Sequence, residues 1–323
     1  MAKAIGDLVA EAEAEADANL ELRQSWNVAP TSDVPVVLER LIGAGHQGSA
    51  RAETAPKNGA GPVQAEQIQA GRIQAAQAQE TQAQVAQAQE TQAQETQALA
   101  VRQVHVARWG LVPGWAKDIS VGVRASNARS ETLLEKPTFR DAALSRRCAV
   151  PMEGYYEWKT GPGNSKQPYF VHRPDGKLSW FAGLYEWWAD PEVPASDPGR
   201  WLLSTTVITL ASPDPQDPDP VLASLGSLHN RLPLPLSPAA LAAWTAPGTL
   251  SNTAALELLA RILDQAYPTA SNWQISAADP AVGSVRNDGP WLLQSPGLDV
   301  TPGGTPGGGL GGDPEPVPGN VLF

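Results

Sequence analysis

The rhythm of hydrophobic and polar positions changes several times along this 323-residue chain, and each change predicts an element. Residues 3–22 set Ile5, Leu8 and Val9 at helical spacing above an acidic face, which predicts a solvated helix. Trp26-Asn27-Val28-Ala29-Pro30-Thr31 favours a turn, and the β-branched run 34–40 (VPVVLER) a strand. Segments 104–112 (VHVARWGLV), 155–159, 169–172 and 180–185 read as further short strands, and 201–210 (WLLSTTVITL) is the strongest. Pro113-Gly114-Trp115 punctuates the chain as a turn. Residues 136–145 suit a helix packed beside a strand at 148–151. Residues 235–244 begin another helix, with Ser237 as N-cap and Pro238 at its first position. Short strands mixed with a few helices, in no regular alternation, predict an α+β domain rather than a parallel sheet.

Two stretches have no such rhythm. Residues 43–103 fall into a repeated Ala-Gln-Ala-Gln-Glu-Thr-Gln theme whose residues favour helix but form no apolar stripe. They read as an exposed helix or as disorder, inserted between two strands of one hairpin, where closure entropy makes a long insertion cheap. Residues 295–323 are rich in Gly and Pro and predict a disordered tail. The expected organisation is therefore one domain over 1–294, interrupted at 43–103, followed by the tail. Two Pro/Asp-rich loops, 189–199 and 211–220, interrupt the compact part.

Charge refines this picture. The net charge of −11 argues against a general nucleic-acid binder. Yet residues 105–181 hold twelve Lys/Arg against seven Asp/Glu, while residues 1–22 hold one Lys against six acids. A basic middle in an acidic chain allows a local phosphate-binding groove. The single cysteine, Cys148, excludes an intrachain disulfide or a cysteine metal site and fits a reducing cytoplasm. No apolar run reaches the ~18–20 residues of a membrane span, and no secretion signal is visible.

The candidate chemistry gathers at three points. Glu157 lies between Tyr156 and Trp158 in a strand-like segment, so alternation turns it to the opposite face from those rings. A carboxylate desolvated beside apolar groups suits general acid/base work; an exposed strand residue is the ordinary alternative. His229 sits in a turn-rich loop just before Arg231 and is a catalytic imidazole or plain surface. Asn127 and Arg129, two apart, face one way if the segment is extended, which suits an oxygen-rich ligand such as a phosphodiester; a capped turn is the alternative. Trp26, Trp109, Trp115 and Trp158 could stack bases, though packing is the default for each. Ser204, Thr205, Thr206 and Thr209 could donate to a phosphate. Cys148 reads as a buried structural thiol. His46, His105 and His172 receive no role. No glycine-rich phosphate loop, H-E-x-x-H or G-x-S-x-G motif is present, and neither metal nor cofactor is expected.

The order of these segments resembles a known family. Asn-Val-Ala-Pro-Thr (27–31), Arg-Trp-Gly-Leu-Val-Pro-Gly-Trp (108–115), Asn-Ala-Arg-Ser-Glu-Thr (127–132), Lys-Pro-Thr-Phe-Arg (136–140), Arg-Arg-Cys-Ala-Val-Pro (146–151), Gly-Tyr-Tyr-Glu-Trp-Lys (154–159), His-Asn-Arg-Leu-Pro (229–233) and Val-Gly-Ser-Val-Arg-Asn (282–287) are similar to the SRAP family, the SOS-response-associated peptidases that crosslink to abasic sites in DNA. The resemblance implies a mixed α+β fold around a curved, barrel-like, mostly antiparallel sheet. It implies capture of abasic sites in single-stranded DNA in the DNA damage response, with lyase and autoproteolytic activity, by a monomer associated with the nucleoid when bound. It implies that Glu157 is the acid/base, that His229 assists sugar ring opening, and that Asn127 positions the N-terminus and the sugar. Arg129 and Arg231 correspond to phosphate contacts, Thr209 to a phosphate-contacting hydroxyl, and Trp115 and Trp158 to aromatics near the DNA path.

The family begins Met-Cys-Gly-Arg, its cysteine supplying the amine and thiol that close a thiazolidine; this chain begins Met1-Ala2-Lys3-Ala4. Two expectations follow: a true start that lies upstream, or a chain without the nucleophile, which would act as a non-covalent binder of single-stranded or damaged DNA. A peptidase acting on other proteins ranks below both.

Overall fold

In the computed structural model, residues 5–16, 23–42 and 99–295 are described. They comprise α1 (Ile5–Ala12), β1 (Glu15–Ala16), β2 (Asp33–Ile42), β3 (Leu99–Trp109), β4 (Asn127–Arg129), α2 (Arg140–Ser145), β5 (Arg147–Met152), β6 (Gly154–Thr160), β7 (Lys166–His172), β8 (Ser179–Ala189), β9 (Trp201–Ala211), α3 (Pro220–Leu228), β10 (Arg231–Pro233), α4 (Pro238–Thr245), α5 (Asn252–Asp264), α6 (Ala266–Ala270) and β11 (Gln274–Ala277). The chain divides into two units, one of residues 1–39 with 102–323 and one of residues 40–101. Only the strand ends 40–42 and 99–101 of the second are described, so most of the Gln/Ala repeat, and the tail beyond 295, lie outside the described residues.

The first unit is α+β, as the pattern predicts. Strands β3, β2, β5, β8 and β9 follow one another and close on themselves through a β3–β9 pairing; β1, β4 and β10 extend this eight-stranded sheet. The β5–β8 and β8–β9 pairs are antiparallel, but the closing β3–β9 seam is parallel. A second, antiparallel sheet runs β11–β7–β6. Strand β9 is buried from Leu203 to Leu210, which explains why its sequence lacks alternation. The core joins both sheets and the helices through residues such as Val36, Leu38, Phe181, Leu184, Ile208 and Trp244.

Local departures from the sequence reading have identifiable causes. The expected helix over 3–22 ends at Ala12: Glu13 turns to φ +49°, and Glu15–Ala16 pairs in parallel with β3. Leu8 and Ala12 are buried against Val37, Val104 and Leu178, so the helix persists only where its apolar side finds a partner. Strand β3 starts at Leu99 rather than 104 and stops at Trp109 rather than 112. It stops there because Gly110 takes φ +130°, and a Cβ at that position would strike the Gly122 backbone. The helix expected over 136–145 is confined to α2; residues 136–139 form a turn in which the Phe139 and Arg140 N–H groups both donate to the Lys136 carbonyl, at 3.0 and 2.9 Å. The later strands, the Ser237 cap and Pro238 stand as expected, with Ser237 Oγ accepting from the Ala240 N–H at 3.2 Å. Strands β10 and β11 and helices α3, α5 and α6 had no counterpart in the sequence reading.

Candidate active site

The centre of the candidate site is Glu157 on β6. Its residue surface is 2% exposed, which overturns the exposed-strand alternative. Burial pushes its carboxyl up to about 8, opposed in part by the Trp158 backbone N–H. Oε1 has no hydrogen-bond partner among the described residues. His229 Nδ1 lies 3.4 Å from Oε1, in ion-pair range but outside hydrogen-bond geometry. A carboxylic acid that stays protonated through neutral pH therefore faces an imidazole, an arrangement fit for proton transfer.

His229 is held by the elements on either side of it. Asp219 caps α3, accepting from the Val221 and Leu222 N–H groups at 2.8 and 3.1 Å, with Pro220 at the first turn. The helix buries Leu222, Leu225 and Leu228 and ends when His229 turns extended, at φ −153°. Two residues later β10 joins β9. His229 Nδ1 lies 3.2 Å from both the N–H and the carbonyl oxygen of Arg231, so the Arg231 backbone fixes the ring, and the tautomer decides which of the two bonds Nδ1 makes. Gly226 makes the geometry possible, since a Cβ there would strike the Pro213 carbonyl of the loop crossing α3.

From Arg231 the polar contacts run on to β9 and to the turn that follows β4. Its guanidinium donates to the Thr209 carbonyl at 2.7 Å, to Thr209 Oγ1 at 3.1 Å, and in bidentate fashion to Glu131 at 2.7 and 3.0 Å. Arg231 is thus engaged by protein groups and braces β10 against β9. Glu131, whose carboxyl is lowered by these bonds, was quoted in a motif but assigned no role; its place two residues after Arg129 was the available signal. Arg129 pairs in register with Thr209 on β9, Asn127 with Val207. The segment is extended, so the expected shared direction of Asn127 and Arg129 holds. Arg129 is exposed and pairs with no carboxylate among the described residues.

The remaining candidates divide. Trp115 is 61% exposed on the loop after β3, while Trp158 is half-buried, packed on the core beside Glu157. Trp109 is buried and donates through Nε1 to the Ser126 carbonyl at 2.8 Å, so it stacks no base. Trp26 is half-buried and receives the Tyr156 hydroxyl on its carbonyl at 3.0 Å. Thr209 is buried, its hydroxyl facing Arg231. Ser204, Thr205 and Thr206 are fully buried: Ser204 Oγ accepts from the Val112 N–H at 2.9 Å and Thr205 Oγ1 donates to the Leu184 carbonyl at 2.9 Å. No phosphate reaches them, because β9 is covered on both sides. Cys148 is buried as expected, its thiol pushed up to about 12 by burial. His105 meets the Trp187 ring edge-on, and His172 stacks on Phe170. Among the described residues no group of three His, Cys, Asp or Glu side chains could hold a metal ion, and no helix is long and apolar enough to cross a membrane.

Three motifs turn out to be braces. Asn27 Nδ2 lies 3.0 Å from each of the Val282, Ser284 and Asn287 carbonyls, joining the 27–31 and 282–287 segments. Arg147 is buried and donates to the carbonyls of Leu144, Trp244, Ala246 and Gly248. It staples α2 and α4 to β5.

A closed mixed barrel carrying a buried carboxylic acid, an imidazole and an exposed guanidinium defines the class, and comparison with known proteins gives the family. The chain matches SOS response associated peptidase (SRAP) over residues 1–285, and it belongs to that family. It is similar to Abasic site processing protein YoqW of Bacillus subtilis (strain 168), 34% identical over 188 residues, 58% of this chain and 75% of that protein. It is similar to Abasic site processing protein YMR114C of Saccharomyces cerevisiae, 35% identical over 60% of this chain and 48% of that protein. It is also similar to Abasic site processing protein HMCES of Rattus norvegicus, 29% identical over 59% of this chain and 56% of that protein. A crystal structure of a Bacteroides thetaiotaomicron protein aligns over 60% of this chain and 77% of its own, at 26% identity and a TM-score of 0.46.

Proposed function

We propose that this protein captures and processes abasic sites in single-stranded DNA. The observation that carries the proposal is the buried Glu157 carboxyl, held protonated beside His229 in a member of a family whose relatives are named for abasic sites. An abasic sugar is a cyclic hemiacetal with a masked aldehyde. Opening it breaks the C1′–O4′ bond, giving O4′ a proton and removing one from the C1′ hydroxyl; these transfers belong to His229. An N-terminal α-amine, neutral in useful part at a pKa near ~8, then attacks the aldehyde. The adduct loses water to form an imine: the departing oxygen takes a proton from Glu157, and the resulting carboxylate takes back the proton that the nitrogen loses. A thiol on the same first residue would bond its sulfur to the imine carbon and give its proton to nitrogen, closing a thiazolidine. Asn127 orients the sugar and the amine. Arg129 meets a backbone phosphate, Arg231 holds His229 and Thr209 in place, and the exposed Trp115 and half-buried Trp158 supply stacking faces along the strand. Elimination at the imine accounts for a lyase activity, and the family's peptidase label for removal of an initiator residue.

A second reading has one observation in its favour. The only cysteine is Cys148, sealed in β5 with its thiol pushed up to about 12. On that reading the protein binds the DNA without a stable covalent bond, or reaches only the reversible imine.

The test is a labelled single-stranded oligonucleotide with one abasic site, incubated with the full chain, with and without borohydride, and run on a denaturing gel. A band stable without borohydride is expected for a thiazolidine, one seen only with borohydride for an imine, and retention on a native gel alone for the non-covalent binder. Glu157→Gln should slow adduct formation at least about 100-fold, as loss of a general acid does, with binding retained. Equal rates for both proteins would remove Glu157 from the chemistry.

A further inference from the structure

Beside the Glu157–His229 pair lies a groove that this mechanism leaves unused. It has a volume of 340 Å³ and is lined by Lys159, Tyr169, Ser224, Ser227 and Leu228, among others. Its floor is the β6–β7–β11 sheet and its wall is α3. The register places it next to the proposed site. Lys159 is two residues beyond Glu157 on β6 and so shares its face, and Tyr169 is directly opposite Glu157 on β7. Leu228 is the residue before His229.

Of the polar groups of this groove, one is used internally and three are not. Ser224 Oγ is engaged, donating to the Pro220 carbonyl at 2.7 Å. The Lys159 ammonium, the Ser227 hydroxyl and the Tyr169 hydroxyl make no hydrogen bond or ion pair with any described residue. Lys159 and Ser227 are exposed, Tyr169 half-buried. One cation and two hydroxyls around a concave space suit an anion with several acceptor oxygens. The adjoining C-terminus of α3 presents carbonyls, which repel an anion, so the Lys159 charge must carry the attraction.

We infer that this groove holds a backbone phosphate of the DNA strand next to the captured abasic nucleotide, with Lys159 as its counter-charge and Ser227 and Tyr169 as hydroxyl donors. The inference rests on the DNA reading above and adds a direction to it. The strand leaves the Glu157–His229 pair along α3 on one side, and passes Arg129 on β4 on the other.

The test uses the full chain and single-stranded oligonucleotides carrying one tetrahydrofuran abasic analogue, which binds without reacting. One phosphate at a time is replaced by a neutral methylphosphonate. For the unaltered protein, one position adjoining the analogue should weaken binding several-fold. Lys159→Met should weaken binding to unmodified DNA by a similar factor, lower the salt slope by about one, and be indifferent to the methylphosphonate at that position. Lys159→Arg should restore the sensitivity. A Lys159→Met protein with unchanged affinity, or one as sensitive as the unaltered protein at every position, overturns the subsite while leaving the DNA reading intact. Failure of the unaltered protein to bind any of these strands overturns the DNA reading and the subsite together.

Discussion

Glu157 shows how a single residue can work against the fold it belongs to. Its carboxyl is raised from 4.5 to about 8 by burial, so the folded chain binds a proton that the unfolded chain has released. Stability from this group is fully present below about pH 4.5 and is lost as pH rises toward about 8. The groups that face it are His229 and Tyr155, and burial raises the Tyr155 phenol, with the Glu157 charge adding to the rise. Glu157→Gln removes the titration. The variant should match the parent at pH 5 and exceed it at pH 9 by a few kcal/mol, since each tenfold difference in proton affinity between folded and unfolded chain is worth about 1.4 kcal/mol. Chemical denaturation of both proteins at the two pH values checks this, and the same loss in both would refute the linkage. The sequence already named the two residues of this pair. What it left open was the choice between exposed strand and buried acid, because the alternation around Tyr156 and Trp158 says which way Glu157 points but not what covers that side.

At the scale of elements, α3 and β10 carry the site, and neither had a counterpart in the sequence reading. The helix is nine residues long, opens on Pro220 and contains Gly226, so its pattern is weak. Strand β10 is three residues and includes Pro233, which has no N–H to give to the ladder and so weakens any strand signal in the sequence. Their junction sets His229. Gly226→Ala should therefore act beyond its propensity, where alanine is the better helix former. The added methyl meets the Pro213 carbonyl, so stability should fall by about 1–3 kcal/mol, and adduct formation should fall with it as α3 shifts against β6. Thermal unfolding together with the adduct assay measures both; a more stable variant would mean that the loop over α3 yields freely. The motifs at 27–31, 146–151 and 282–287 were legible as distinctive segments, yet their use as carbonyl clasps by Asn27 and Arg147 depends on chain neighbours roughly 100 to 260 residues away.

For the molecule as a whole, the Gln/Ala repeat lies between β2 and β3, the two strands whose ends bound it. Replacing residues 43–98 by a short turn should leave the barrel domain folded, because closure entropy changes by only about 0.6 kcal/mol for each doubling of loop length. Equal or slightly higher denaturation midpoints are expected for the shortened chain, and a cooperative transition lost altogether would show that the repeat is part of the domain.

The sequence by itself determined the α+β class, the main strands, the Ser237 cap and the identity of Glu157, His229, Asn127 and Arg129 as candidates. These rest on local signals: apolar periodicity, turn residues, and polar groups that a core does not need. Only the tertiary structure decided that β9 buries its Ser and Thr residues, that Trp109 is core, that Arg231 is engaged by Glu131 and Thr209, and that His229 faces Glu157. The physical reason is that burial and pairing are properties of neighbours. The barrel brings β4, β9 and β10 side by side, α3 lays His229 over β6, and no window of sequence contains both partners of any of these contacts.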